Sequence, residues 1–168
     1  EIANLCELVG ADVHDVAKAM GEDGRISEKF LHPGPGFGGS CFPKDLESLS
    51  SISREYGFSM ETLSAAISAN KNQKVKMGEK LEKLITGGIQ NKSIAVLGLS
   101  FKANTDDVRE SSSIDMINFI TNMGGYVSAY DPIANNSMSK IFTNISYFDD
   151  VYEAITGADA LVVMTEWN

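Results

Sequence analysis

The sequence predicts an α/β chain in two parts, an all-helical segment over residues 1–87 followed by a parallel strand–helix unit over residues 88–168. Three observations predict it. Up to Ile85, apolar residues recur at the spacing of amphipathic helices. Residues 86–91, Thr-Gly-Gly-Ile-Gln-Asn, then break the pattern with two glycines and a polar cluster. Beyond them, short apolar runs alternate with helical patterns, the order of a right-handed, Rossmann-like parallel sheet.

Ile2, Leu5, Cys6, Leu8 and Val9 make the first helical stripe, which ends at Gly10. Cys6 lies on that stripe and reads as a core residue. Asp12 is the N-cap of a second helix, with Val13, Val16, Ala17 and Met20 inward and His14 on the solvated side. Residues 21–25 break it, and Arg25 reads on its own as a surface arginine. A helix is expected from Leu46 to Tyr56, with Leu46, Leu49 and Ile52 on one face, and Gly57 stopping it. A long helix follows over residues 59–85, with Met60, Leu63, Ala66, Ile67, Val75, Leu81 and Leu84 as candidate core and a polar middle at residues 70–74. These helices carry more apolar surface than so short a segment covers alone, which predicts a homodimer through the helical segment.

In the second part, Ser93–Leu97 reads as a buried strand ending at Gly98. Residues 111–113, three serines, offer N-caps for a helix to Met123, with Ile114, Ile117, Phe119 and Ile120 toward the core. Strands follow at residues 126–130, 145–147 and 160–164, with a helix over 149–155. The first strand is followed by Gly-Leu-Ser-Phe-Lys and not by Gly-x-Gly-x-x-Gly, so ordinary dinucleotide binding in this half is weakly supported.

Residues 33–45, Pro-Gly-Pro-Gly-Phe-Gly-Gly-Ser-Cys-Phe-Pro-Lys-Asp, stand apart from every periodic pattern. Glycine permits close backbone approach and proline stiffens the path, so the loop can present Cys41 at low entropic cost. Lys44 supplies a cation and Asp45 a carboxylate within one turn of the thiol. A structural Gly/Pro loop with an inert cysteine fits the residues equally well.

Composition narrows the classes. At 168 residues, with 43% hydrophobic and 22% charged residues, the chain is ordinary for a globular protein. A net charge of −9 argues against nucleic acid, and no apolar run is long enough to span a membrane. Two cysteines make no disulfide framework, which fits a cytoplasmic setting. No metal site is expected. The chain starts in helical rhythm without Met and closes on Trp167-Asn168 after an apolar run, the signs of a piece of a longer protein.

Residues 36–45, Gly-Phe-Gly-Gly-Ser-Cys-Phe-Pro-Lys-Asp, resemble the catalytic-cysteine signature of the UDP-glucose 6-dehydrogenase family, among the nucleotide-sugar 6-dehydrogenases. Residues 98–113 resemble a second motif of that family, in its domain for the UDP end of the substrate. The resemblance implies an NAD-dependent enzyme that oxidises UDP-glucose to UDP-glucuronate in two hydride transfers. It implies Cys41 as the nucleophile that forms a thiohemiacetal and then a thioester, with Asp45 handling water and Lys44 stabilising a thiolate or an oxyanion. Substrate contacts are implied for Arg25 (from a neighbouring subunit), Phe30, Leu31, Gly38, Phe101 and Lys102, and an NAD contact for Arg109. By its residues alone, Arg109 simply pairs with Asp106, Asp107 or Glu110. The role of His32 stays open. The family's N-terminal NAD-binding domain, the lysine and asparagine of its central helix and a C-terminal arginine are not matched here, so this piece alone is expected to be inactive. Alternatives are a GDP-mannose 6-dehydrogenase, with UDP-N-acetyl-mannosamine dehydrogenases further off, or a non-catalytic dimerisation and nucleotide-binding module.

Overall fold

The structure is a computed structural model and describes residues 1–167. It divides into a unit from Glu1 to Gly34 and a larger one beginning at Pro35. The first unit holds helix α1 (Ile2–Val9), helix α2 (Val13–Gly21) and a single 3-10 turn at Glu28–Phe30. Asp12 caps α2 as expected, its carboxylate accepting from the His14 amide at 2.8 Å. Cys6 is buried, 6% exposed, whereas Leu8 and Phe30 are 81% and 97% exposed.

The larger unit opens with the glycine-rich loop and helix α3 (Phe42–Glu55), then helix α4 (Glu61–Leu84). Its sheet is β1 (Ser93–Leu97), β2 (Tyr126–Tyr130), β3 (Ser146–Tyr147) and β4 (Ala160–Val163). Among the described residues these four strands are all parallel, in the order β3-β2-β1-β4. Helices α5 (Ser112–Asn122), α6 (Asn135–Met138) and α7 (Val151–Ile155) make the connections. The sheet is the expected one: β1 pairs on either side with β2 and β4, Ile94 opposite Val127 and Ala160. Ser111 is the N-cap of α5, its hydroxyl accepting from the Ser113 amide. Ile94, Val96, Leu99, Ile117, Ile120 and Met138 are fully buried and form the centre of the core.

Two expectations shift. Helix α3 begins at Phe42, four residues before the expected Leu46, because Pro43 lies in its first turn, where a missing N–H costs nothing and φ is already helical. The long helix also buries a different face. Val75 and Leu84, expected inside, are exposed. The stripe that meets the rest of the unit runs through Ile67, Asn70, Lys74, Gly78 and Leu81, and so includes two polar residues. Gly78 lies against the Phe119 ring, where a Cβ would overlap the aromatic carbons, so α4 and α5 cross closely there.

Candidate active site

Cys41 is exposed and occupies the N-cap position of α3, with Asp45 in that helix's first turn. Its carbonyl accepts from the Asp45 amide at 2.8 Å, and its sulfur lies 3.7 Å from the Ser40 hydroxyl. A carboxylate in the first turn is favourable for the helix whatever else it does. Lys44 and Asp45 are both exposed, and their charged atoms stand 3.9 Å apart.

The loop before Cys41 is pinned residue by residue. The Ser112 hydroxyl donates to the Gly36 carbonyl at 3.0 Å. Asn70, on α4, accepts from the Phe37 amide at 2.8 Å and donates to the Phe37 carbonyl at 3.1 Å. The Gly39 amide donates to the Arg109 carbonyl at 2.9 Å. At Gly38 a side chain has no room, since a Cβ would fall on the Glu110 carbonyl. Gly39 has φ +88°, and its open face is filled by the Phe101 ring. Cys41 follows two residues later. The rings of Phe37 and Phe42 stack at a tilt, 4.7 Å between centroids.

The facing segment, residues 98–111, is equally constrained. Asp131, at the end of β2 and 2% exposed, accepts from the amides of Leu99 and Ser100 on one oxygen and from Ile133 and Ala134 on the other. The Trp167 indole N–H adds a bond at 3.2 Å. Burial pushes this carboxyl up, but the four backbone donors outweigh it and hold it below the ordinary aspartate range. An acidic residue at the end of the second strand is where dinucleotide-binding sheets hold a ribose. Here that carboxylate is committed to the β1 loop.

The segment carries Phe101, Lys102 and Arg109. The Lys102 ammonium lies 5.4 Å from the Phe101 ring centroid, within cation–π reach. Arg109 is held by Asp107, whose carboxylate accepts from its backbone amide at 2.9 Å, from Nε at 2.9 Å and from Nη2 at 2.7 Å. The pairing lowers the Asp107 pKa and raises that of Arg109. Asp107 is thus the acidic neighbour that pairs with Arg109, yet the arginine side chain stays 69% exposed. In the first unit, Arg25 is clipped to Asp23 in the same way, through its amide and Nε, in the same Asp-x-Arg spacing. Leu31 there is half-buried and lines a 230 Å³ apolar cavity together with Phe30, Val16 and Met20.

The larger unit therefore docks the loop that carries Gly38 and leads to Cys41 on the segment of Phe101, Lys102 and Arg109, with Lys44 and Asp45 following in the first turn of α3. Arg25, Phe30 and Leu31 belong to the first unit. Sequence reasoning missed Asn70, Lys74 and Asp131. The signal for the first two was the helical stripe that continues from Ile67 to Leu81 straight through them. Among the described residues, no cluster of three or more His, Cys, Asp or Glu is placed to hold a metal ion, and no helix is long and apolar enough to cross a membrane.

Two family models match the chain: the central domain of the UDP-glucose/GDP-mannose dehydrogenase family over residues 1–72, and its UDP binding domain over residues 95–168. A UDP-glucose 6-dehydrogenase of Rhizobium meliloti is 45% identical over 100% of this chain and 38% of its own length. One of Bacillus subtilis is 44% identical over 99% of this chain and 36% of its own. The chain thus spans little more than a third of these relatives. Among solved structures, a UDP-glucose dehydrogenase from the archaeon Pyrobaculum islandicum superposes with a TM-score of 0.86 at 31% identity, covering 95% of this chain and 37% of that one. A GDP-mannose dehydrogenase from Pseudomonas aeruginosa gives 0.74 at 27% identity, covering 98% and 40%. With both family domains in sequence and this fold beneath them, the chain belongs to the UDP-glucose/GDP-mannose dehydrogenase family.

Proposed function

We propose that this chain is the central and UDP-binding part of a longer, NAD-dependent UDP-glucose 6-dehydrogenase, with Cys41 as its covalent nucleophile. One observation carries the reading. An exposed thiol at the start of α3 follows directly on a loop, Gly38 and Gly39, that is docked against the segment bearing Phe101, Lys102 and Arg109. UDP-glucose is preferred over GDP-mannose because the relatives at 40–45% identity are UDP-glucose 6-dehydrogenases.

In this reading, Phe101 and Lys102 meet the nucleotide sugar, and Gly38 lets it approach the backbone. Arg109, charged and presented outward by Asp107, meets phosphate of the cofactor. The guanidinium is exposed enough for that contact. NAD, when bound, takes up a hydride in each of the two oxidations. Cys41 Sγ adds to the C6 aldehyde, forming a C–S bond while the carbonyl oxygen gains a proton, so the sugar is carried as a thiohemiacetal and, after its oxidation, as a thioester. Water then adds at the acyl carbon, the C–S bond breaks, and the thiol leaves UDP-glucuronate behind. Asp45 holds that water and Lys44 faces the oxyanion, roles that the exposed first turn of α3 leaves both free to play.

The helical segment, residues 1–87, is proposed to pair with a second copy, with Arg25 reaching the partner's substrate and Phe30 and Leu31 lining the sugar pocket. Its exposed apolar residues, Leu5, Leu8, Val9, Leu49 and Ile52 among them, support that pairing. The reading is tested by turnover of the full-length enzyme with UDP-glucose and with GDP-mannose. Oxidation of UDP-glucose that Cys41→Ser abolishes supports it, and turnover unaffected by that change removes it.

A further inference from the structure

We infer that Asn70 is a positioning residue for Cys41. The inference rests on the proposed covalent chemistry for its catalytic consequence and on the geometry for the positioning itself. The Asn70 carboxamide meets Phe37 with an accepted bond at 2.8 Å and a donated bond at 3.1 Å, across 33 residues of chain. One side chain thereby does for Phe37 what a neighbouring strand would do, satisfying both polar groups of a single residue four places before the thiol. Aspartate offers two acceptors and no donor, and leucine offers neither.

Asparagine is a poor choice for the middle of a 24-residue helix, where alanine, leucine or lysine is favoured. The helix that carries it is well anchored. One turn on, Lys74 has a side chain only 9% exposed and reaches Asp115 on α5 at 3.0 Å and the Glu110 carbonyl at 3.1 Å. A turn beyond that, Gly78 seats against Phe119. Asn70 is thus a polar hook on a rigid element, and the loop hangs on it. Ser112 at Gly36 and the Arg109 carbonyl at Gly39 fix the residues on either side. Without the hook, Phe37 loses both backbone partners while Gly36 and Gly39 keep theirs, so the loop shifts between its anchors and Cys41 shifts with it. Misplacement of a reacting group by about 1 Å costs on the order of a hundredfold in rate.

The test uses the full-length enzyme and two variants, Asn70→Asp and Asn70→Leu. Asn70→Asp is isosteric, so it decides the matter even if Asn70→Leu fails to fold. Two readouts are taken: steady-state UDP-glucose oxidation, and the rate of Cys41 alkylation by iodoacetamide, followed by peptide mass, with buried Cys6 as the internal control. The expected result is a kcat lowered by roughly tenfold to a hundredfold, a KM for UDP-glucose within about threefold of wild type, and an unchanged melting temperature. The alkylation rate is expected to change by about threefold or more. A wild-type kcat, or a loss of kcat, KM and melting temperature together, overturns the inference. Should the wild-type enzyme itself fail to oxidise UDP-glucose, the proposed function falls, and alkylation alone decides the positioning role: an unchanged rate in Asn70→Asp overturns it.

Discussion

The Gly39 amide and the Arg109 carbonyl are joined by a 2.9 Å hydrogen bond, so the segment that presents the thiol and the segment that presents the guanidinium share a backbone contact. The same residue, Arg109, is clipped to Asp107 through its own amide and side chain. Orientation of the Arg109 guanidinium and placement of the cysteine loop thus depend on the same three residues of backbone, 107 to 109.

Gly38 is the position at which this docking is least forgiving. In Gly38→Ala the new methyl falls on the Glu110 carbonyl, and backbone cannot swing aside as a side-chain end can. Overpacking of this kind costs about 1–3 kcal/mol. The full-length variant is expected to be less stable by that amount and to lose on the order of a hundredfold in kcat as the loop backs away from Arg109. Calorimetry and turnover check it, and wild-type values in both would show that the contact relaxes freely.

Asp131 makes a prediction about acid. Its carboxyl lies below the ordinary aspartate value in the folded chain, so the stability it contributes is present above that ordinary value, about 3.9, and is lost as the pH falls through the lower folded value. Asp131→Asn leaves several buried amides with a poorer acceptor, at a cost of about 1–3 kcal/mol near neutral pH. Melting curves from pH 7 down to pH 3 should show the gap between wild type and variant narrowing below pH 4. A gap that stays constant would mean that the charge of Asp131 contributes nothing.

Lys102 and Arg109 should govern binding and leave the chemistry alone. Lys102→Ala is expected to raise the KM for UDP-glucose, and Arg109→Ala the KM for NAD, each by roughly tenfold to a hundredfold. Asp107→Asn should raise the KM for NAD by a smaller factor, since the guanidinium keeps its charge and loses its clip. Initial-rate kinetics separate the two substrates. If neither constant moves, the Asp107–Arg109 pair is a surface pair only.

The order of elements was legible because the signals are local. Ser93–Leu97 and Tyr126–Tyr130 fall where their apolar runs lie, and Asp12 and Ser111 cap the helices they precede. Resemblance supplied the candidate residues around Cys41. What stayed hidden is the set of bonds that holds them. Asn70 and Lys74 look like a solvated helix middle until the loop that they receive is in place, 33 residues away for Asn70. Asp131 looks like the start of a turn before Pro132, and its partners at Leu99 and Ser100 arrive only when β1 and β2 pair. Val75 and Leu84 misled because their apolar character fits the helix, while the buried stripe passes beside them.

The central claim is that Cys41 carries the sugar as an acyl group, and intact-mass spectrometry of the full-length enzyme tests it most directly. Cys41→Ser is nearly isosteric, and a serine hydroxyl is far less nucleophilic than a thiol near neutral pH. Its ester, once formed, hydrolyses less readily than a thioester. Asp45→Asn, which keeps the thiol, should slow the release of product by water. After incubation with UDP-glucose and NAD, both variants are expected to show protein heavier by the nucleotide-sugar acyl group, with the added mass on residue 41 and little overall turnover. Wild-type-like turnover by Cys41→Ser, with no adduct in either variant, would contradict the covalent mechanism.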